Sequence, residues 1–109
     1  MRRGIRPCGY IAAGDWPFAR MKAHRGAQVA QAVARALAEA MEAQGLSANA
    51  VAQRSGVNRQ VVTNVLNGTV WPDLLTVVDL EVALGVPLWP DHLQWNAEEL
   101  PGPRSDEQR

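Results

Sequence analysis

The sequence predicts an all-α fold, a compact bundle of four to five helices, on three observations. Apolar residues recur at three- and four-residue steps between Ala27 and Gln44. Ser47, Asn58 and Asp73, all good N-cap residues, each precede an apolar-periodic segment, and Gly45, Gly56, Gly68 and Gly85 stand where those segments must stop. Between Leu46 and Gly68 the small and branched residues are spaced so that two short helices can cross at close range. The boundaries read from these signals are an N-terminal arm over 1–26, a folded domain over 27–93 and a tail over 94–109.

Residues 1–26 carry Gly4, Gly9, Gly14, Gly26, Pro7 and Pro17 without sustained periodicity, which predicts a flexible arm, pinned if at all by Trp16 and Phe18. Two readings stand together: a basic arm that contacts phosphates or the minor groove, and a disordered tail or an upstream extension if translation begins at Met21. From Ala27 to Gln44 the chain is rich in the strongest helix formers. Val29, Val33, Leu37, Ala40 and Met41 make its apolar stripe, while Gln31, Arg35, Glu39 and Glu42 lie off it. Arg35 and Glu39 are one turn apart and can pair.

Ser47 then caps a helix over Ala48 to Ser55, with Val51 and Ala52 inward. Gly56 ends it, because glycine enters the left-handed region without steric cost. Val57 returns to the core, and Asn58 caps a second helix, Arg59 to Asn67, with Val62 and Val65 inward and Gly68 as its stop. The outer face of that helix carries Arg59, Gln60, Thr63 and Asn64. This is a helix-turn-helix arrangement, and those side chains can read base edges: Arg pairs with guanine, Gln and Asn with adenine, Thr with either.

Leu46 through Trp89 resembles the Cro/repressor (XRE) class of lambda repressor-like domains. The residues carrying the resemblance are Gly45-Leu46-Ser47, Val51-Ala52, Ser55-Gly56-Val57, Val62, Leu66-Asn67-Gly68, Pro72 and Ala83-Leu84-Gly85-Val86. The ending LGVPLWP is similar to a subgroup common among actinobacterial regulators. The resemblance implies a lambda repressor-like bundle that binds duplex DNA in the major groove, with Ser47 and Asn67 on phosphates; Arg54 is a further phosphate candidate. One departure is Ala48, which stands where the family usually has a Gln that bridges a phosphate and the recognition helix. That clamp is not carried over.

After Gly68, Pro72 holds Trp71 extended, and Asp73 caps a helix over Leu74 to Leu84 that ends at Gly85. Its apolar residues leave few faces polar, so it either sits centrally or contributes part of a dimer face. Asp91 to Trp95 can add a short last helix. Trp71 and Trp89 are read as an apolar cap on the bundle's end, with Trp95 left open between cap and dimer contact.

Composition excludes several classes. No apolar run approaches the roughly 20 residues of a membrane span. No export signal is legible, and a lone Cys8 forms no intrachain disulfide, so a cytoplasmic setting is expected. His24, His92 and Cys8 make no metal spacing, no nucleophile is paired with a base, and no phosphate loop is present; neither enzyme activity nor a cofactor is expected. The net charge of zero hides a gradient. Residues 1–35 hold seven cations against Asp15, and residues 73–109 hold two against eight carboxylates.

The function these features imply is sequence-specific duplex DNA binding by a transcriptional regulator, a repressor by resemblance, dimeric through the C-terminal helix region. Two alternatives remain: an antitoxin-type DNA-binding protein whose acidic tail folds on a protein partner, and an interaction module that has lost DNA binding.

Overall fold

The computed structural model describes residues 5–91. Four helices make up most of it: α1 (Arg25–Gln44), α2 (Ala48–Ser55), α3 (Arg59–Asn67) and α4 (Leu74–Leu84). Among the described residues, none of these helices is long and apolar enough to cross a membrane.

Each helix starts and stops on the residues that local chemistry requires. The side chains of Ser47, Asn58 and Asp73 accept the backbone N–H of Ala50, Gln60 and Thr76 at 3.1, 2.7 and 2.7 Å, satisfying donors that have no intrahelical partner. At the tight turn between α2 and α3, Gly56 takes φ +79°, its N–H donates to the Ala52 carbonyl, and the Val57 N–H donates to Ser55 Oγ at 3.0 Å. A side chain there would meet open space, so Gly56 is required by backbone conformation alone.

The core lies where the four helices meet. Val33, Leu37 and Ala40 from α1 pack with Val51 of α2, Val62 and Val65 of α3, Val77, Leu80 and Leu84 of α4, and Leu88 beyond it. Leu37, Val51, Val62 and Leu80 are wholly shielded from solvent. At about 25 cal/mol per Å² such side chains supply most of the folding free energy of a small domain. Two polar ties close the far end. Gln44 Nε2 donates to the Leu84 carbonyl at 2.9 Å, and the Glu81 carboxylate accepts the N–H groups of Leu88 and Trp89 at 2.7 and 3.0 Å.

The N-terminal segment corrects the sequence reading. Residues 5–24 do not lack regular structure. A 3-10 turn, Pro7–Tyr10, leads into strand β1 (Ile11–Ala13), which pairs antiparallel with β2 (Arg20–Met21) in the register Ile11 to Met21 and Ala13 to Arg20. The domain is therefore mostly helical with one small sheet. Helix α1 begins at Arg25 rather than Ala27, because the His24 ring acts as N-cap, its Nδ1 accepting the Ala27 N–H at 3.0 Å. The short last helix expected over Asp91 to Trp95, and the reading of Trp95 itself, fall largely or wholly outside the described residues.

What holds the hairpin is a set of polar side chains that a periodicity argument places wrongly. Gln31, expected off the apolar stripe, is buried. Its Oε1 accepts the Ala19 N–H at 2.9 Å and its Nε2 donates to the Ala19 carbonyl at 3.0 Å. The primary amide thus imitates a neighbouring strand and satisfies a buried peptide from both sides. Arg35, expected to face Glu39, is turned to the hairpin as well. Its Nε donates to the Pro17 carbonyl at 3.1 Å and its guanidinium lies 5.2 Å from the centre of the Phe18 ring.

Candidate nucleic-acid interface

The second helix of the helix-turn-helix, α3, is amphipathic because Val62 and Val65 are its only buried side chains. Its opposite side carries Arg59, Gln60, Thr63, Asn64 and Asn67. Arg59, Gln60 and Asn67 are exposed, and Thr63 and Asn64 are half-buried. At 100° per residue these five positions fall within a stripe of about 140°, wide enough to meet a groove. The four residues expected to read bases therefore share one solvent-facing surface. Within it, Gln60 Nε2 donates to Asn64 Oδ1 at 3.1 Å, so two of the amides are already set against each other.

Of the residues expected at phosphates, two lie at the ends of α2 and one at the end of α3. Ser47 is exposed at the start of α2, but its Oγ already accepts the Ala50 N–H. Its hydroxyl proton and the first amides of α2 are what it offers an anion. Asn67 ends α3 in the open, and Arg54 lies exposed in the last turn of α2. Asn64 is anchored from below: its carbonyl accepts the Thr69 N–H at 3.0 Å and the Thr69 hydroxyl at 3.3 Å.

The hairpin meets this region at one end only. The Cys8 N–H donates to the Gly68 carbonyl at 2.9 Å, and Trp16 Nε1 donates to the Leu66 carbonyl at 3.0 Å. Both bonds lie at the C-terminal end of α3, in its last turn and at its C-cap, and Arg59 and Gln60 at the other end stay exposed. Trp16, expected to pin the arm, does so, whereas Phe18 is 65% exposed. A further lock joins the hairpin to the loop after α3. The Tyr10 and His24 rings stand 4.0 Å apart, the His24 and Trp71 rings 5.6 Å apart, and Trp71 Nε1 donates to the Ile5 carbonyl at 3.0 Å. None of these long-range partners was legible in the sequence; the surplus of Trp was the one available signal.

With the geometry in place, the comparison with known families decides the class: residues 37–88 match the helix-turn-helix family. The chain carries an XRE/Cro-type helix-turn-helix domain. No curated protein and no solved structure matches the chain. The matched stretch of this helix-turn-helix domain starts in the middle of α1 and ends at Leu88, so the hairpin and the first half of α1 precede it. Such a domain implies DNA binding.

The XRE/Cro-type domain also leaves a second surface unexplained by its core. Helix α4 buries Val77, Leu80 and Leu84 but exposes Leu74, Leu75, Val78 and Val82, at 69, 70, 48 and 77%. Of the two arrangements open for this helix, the structure shows one apolar side in the core and another in solvent. Trp71 and Trp89, read as a cap, line a shallow apolar pocket with Val29, Ala30 and Val33 of α1 while remaining 37 and 52% exposed.

Proposed function

We propose that this protein is a sequence-specific transcriptional regulator that binds duplex DNA by inserting α3 into the major groove. Arg59, Gln60, Thr63 and Asn64 face base edges. Ser47, Asn67 and Arg54 hold the flanking phosphates. The observation that carries this reading is the open polar face of α3 within an XRE/Cro-type domain, presented by a helix whose opposite side is locked into the core. Arg59 stands at the N-terminal turn of α3, the end that enters the groove first in this docking mode, and its guanidinium suits guanine O6 and N7. The Gln60–Asn64 contact leaves Gln60 Oε1 and the Asn64 amide hydrogens for adenine N6 and N7.

One such helix touches few base pairs, so specific affinity calls for two half-sites about one helical turn apart. The exposed apolar face of α4 supports a homodimer, since four large aliphatic side chains in a row on a monomer surface are unfavourable to leave in water. Repression follows where the operator overlaps a promoter. The acidic segment on which the antitoxin alternative rests, 94–109, lies outside the described residues.

Selection of bound sequences from a pool of random duplexes tests the proposal. The expected result is one enriched motif with two-fold symmetry, whose affinity falls steeply as salt rises. Recovery of the unenriched pool, with no retained duplex, overturns it.

A further inference from the structure

The stretch that matches the helix-turn-helix family is poor in the charge its partner requires. Residues 37–88 hold two cations, Arg54 and Arg59, against five carboxylates, and the loop from Thr69 to Asp73 has no cation at all. Duplex DNA draws its sequence-independent affinity from cations set against phosphates. The segment before the matched stretch has the opposite balance. Among residues 5–36 five cations stand against one carboxylate, Asp15, and three of the five, Arg6, Arg20 and Lys22, are exposed.

We propose that the N-terminal hairpin is a DNA-backbone-binding wing, in which Arg6, Arg20 and Lys22 take phosphates beside the groove that α3 enters. The proposal rests on the reading of α3 as the recognition helix, and it assigns further backbone contacts to an element outside the matched stretch. Three observations place the wing. The 3-10 turn that leads into β1 is bonded through Cys8 to Gly68, one residue past Asn67, the last polar side chain of the α3 face, so the segment adjoins the C-terminal end of that face. Arg6 follows Ile5, whose carbonyl accepts Trp71 Nε1, which sets it beside the loop after α3. The Lys22 N–H donates to the Tyr10 carbonyl at 2.8 Å, and Tyr10 and His24 stack toward Trp71, which sets β2 and its extension against the same loop. Arg20 and Lys22 are two residues apart on extended chain and emerge on one side.

Docking gives the wing what an unstructured arm lacks. The clamp of Gln31 on Ala19, the Trp16 bond to Leu66 and the aromatic stack fix the hairpin before DNA arrives. Its cations therefore reach phosphates without the ordering cost that a disordered segment carries into binding. The wing reads no bases. It sets register and adds affinity, while sequence preference stays with α3.

The test is the salt dependence of binding by the full chain, for a selected duplex and a scrambled one, between about 50 and 200 mM salt. The variant Arg6→Gln/Lys22→Gln/Arg20→Gln is compared with the parent and with Arg6→Lys/Arg20→Lys. The expected result is a triple variant weakened roughly 10- to 100-fold on both duplexes, its slope of log affinity against log salt shallower by about two to three. The ratio between the duplexes stays unchanged, and the lysine variant keeps the parent's slope. Unchanged Trp fluorescence and thermal midpoint in the triple variant show that the hairpin remains docked. A triple variant with the parent's affinity and slope overturns the wing and leaves the reading of α3 standing. A parent that binds neither duplex overturns both.

Discussion

Trp16 Nε1 donates to the carbonyl of Leu66 at 3.0 Å, so the hairpin is bonded to the last turn of the helix that carries the polar face. Trp16→Phe keeps most of the ring and loses the donor, leaving a part-buried carbonyl unpaired. The expected cost is about 1 kcal/mol, and that of Trp16→Ala is roughly 3–5 kcal/mol, because a large aromatic is then also removed. Urea unfolding of the two variants checks the difference. A Trp16→Phe variant as stable as the parent would show that the indole hydrogen bond contributes nothing.

Gly68 is held by both conformation and contact. Its φ is +73°, and a Cβ there would lie 2.5 Å from Trp16 Cε2. Gly56 shares the left-handed conformation, at +79°, but has open space around it. Gly56→Ala should therefore cost only the backbone term, about 1–2 kcal/mol, and Gly68→Ala roughly 2–5 kcal/mol. For a domain of this size the two should differ by several degrees in Tm, on the order of 4–8 °C per kcal/mol. Trp16→Ala combined with Gly68→Ala should cost less than the two separate losses summed, since the clash is then gone.

Arg59→Ala tests the base contact. It should cost roughly 1–3 kcal/mol on the selected duplex and relax preference at one base pair. A uniform loss across all duplexes, with a shallower salt slope, places Arg59 on phosphate instead. Gln60→Ala should also free the Asn64 side chain, so its effect on specificity is expected to spread to the neighbouring position.

Acid should loosen the turn after α4. The backbone N–H groups of Trp89 and Leu88 hold the Glu81 carboxyl below its ordinary value, and the backbone and hydroxyl of Thr76 do the same for Asp73. A carboxyl lowered on folding stabilises the native state fully above its unfolded value, near 4, and loses that contribution as pH falls through the folded value. Both groups meet solvent, so the effect is small and local. Trp fluorescence followed from pH 7 downward should begin to change below about pH 4.5. In Glu81→Gln that change should shrink.

The outer face of α4 tests the dimer. Leu75→Glu and Val82→Glu alter side chains that are 70 and 77% exposed, so neither should lower the stability of the monomer by more than about 0.5 kcal/mol. Both should shift a sedimentation dilution series toward monomer and weaken binding to a two-half-site duplex more than to a single half-site. A parent that sediments as a monomer at all concentrations, on and off DNA, removes the proposed interface.

The helices were legible in the sequence because their causes are local. A cap at Ser47, Asn58 or Asp73, a stop at Gly45, Gly56, Gly68 or Gly85, and apolar residues at three- and four-residue steps act within one or two turns of chain. The polar face of α3 followed from the same periodicity, because burial of Val62 and Val65 leaves Arg59, Gln60, Thr63 and Asn64 on the other side. What only the tertiary structure decided is everything that joins distant residues. Periodicity puts Gln31 off the apolar stripe, yet its amide closes on a peptide 12 residues away, and Trp16 bonds a carbonyl 50 residues away. Such partners satisfy buried backbone groups, and their choice depends on which surfaces packing brings together. For the same reason the glycine- and proline-rich start of the chain read as a loose arm, although it is folded against the end of the helix it serves.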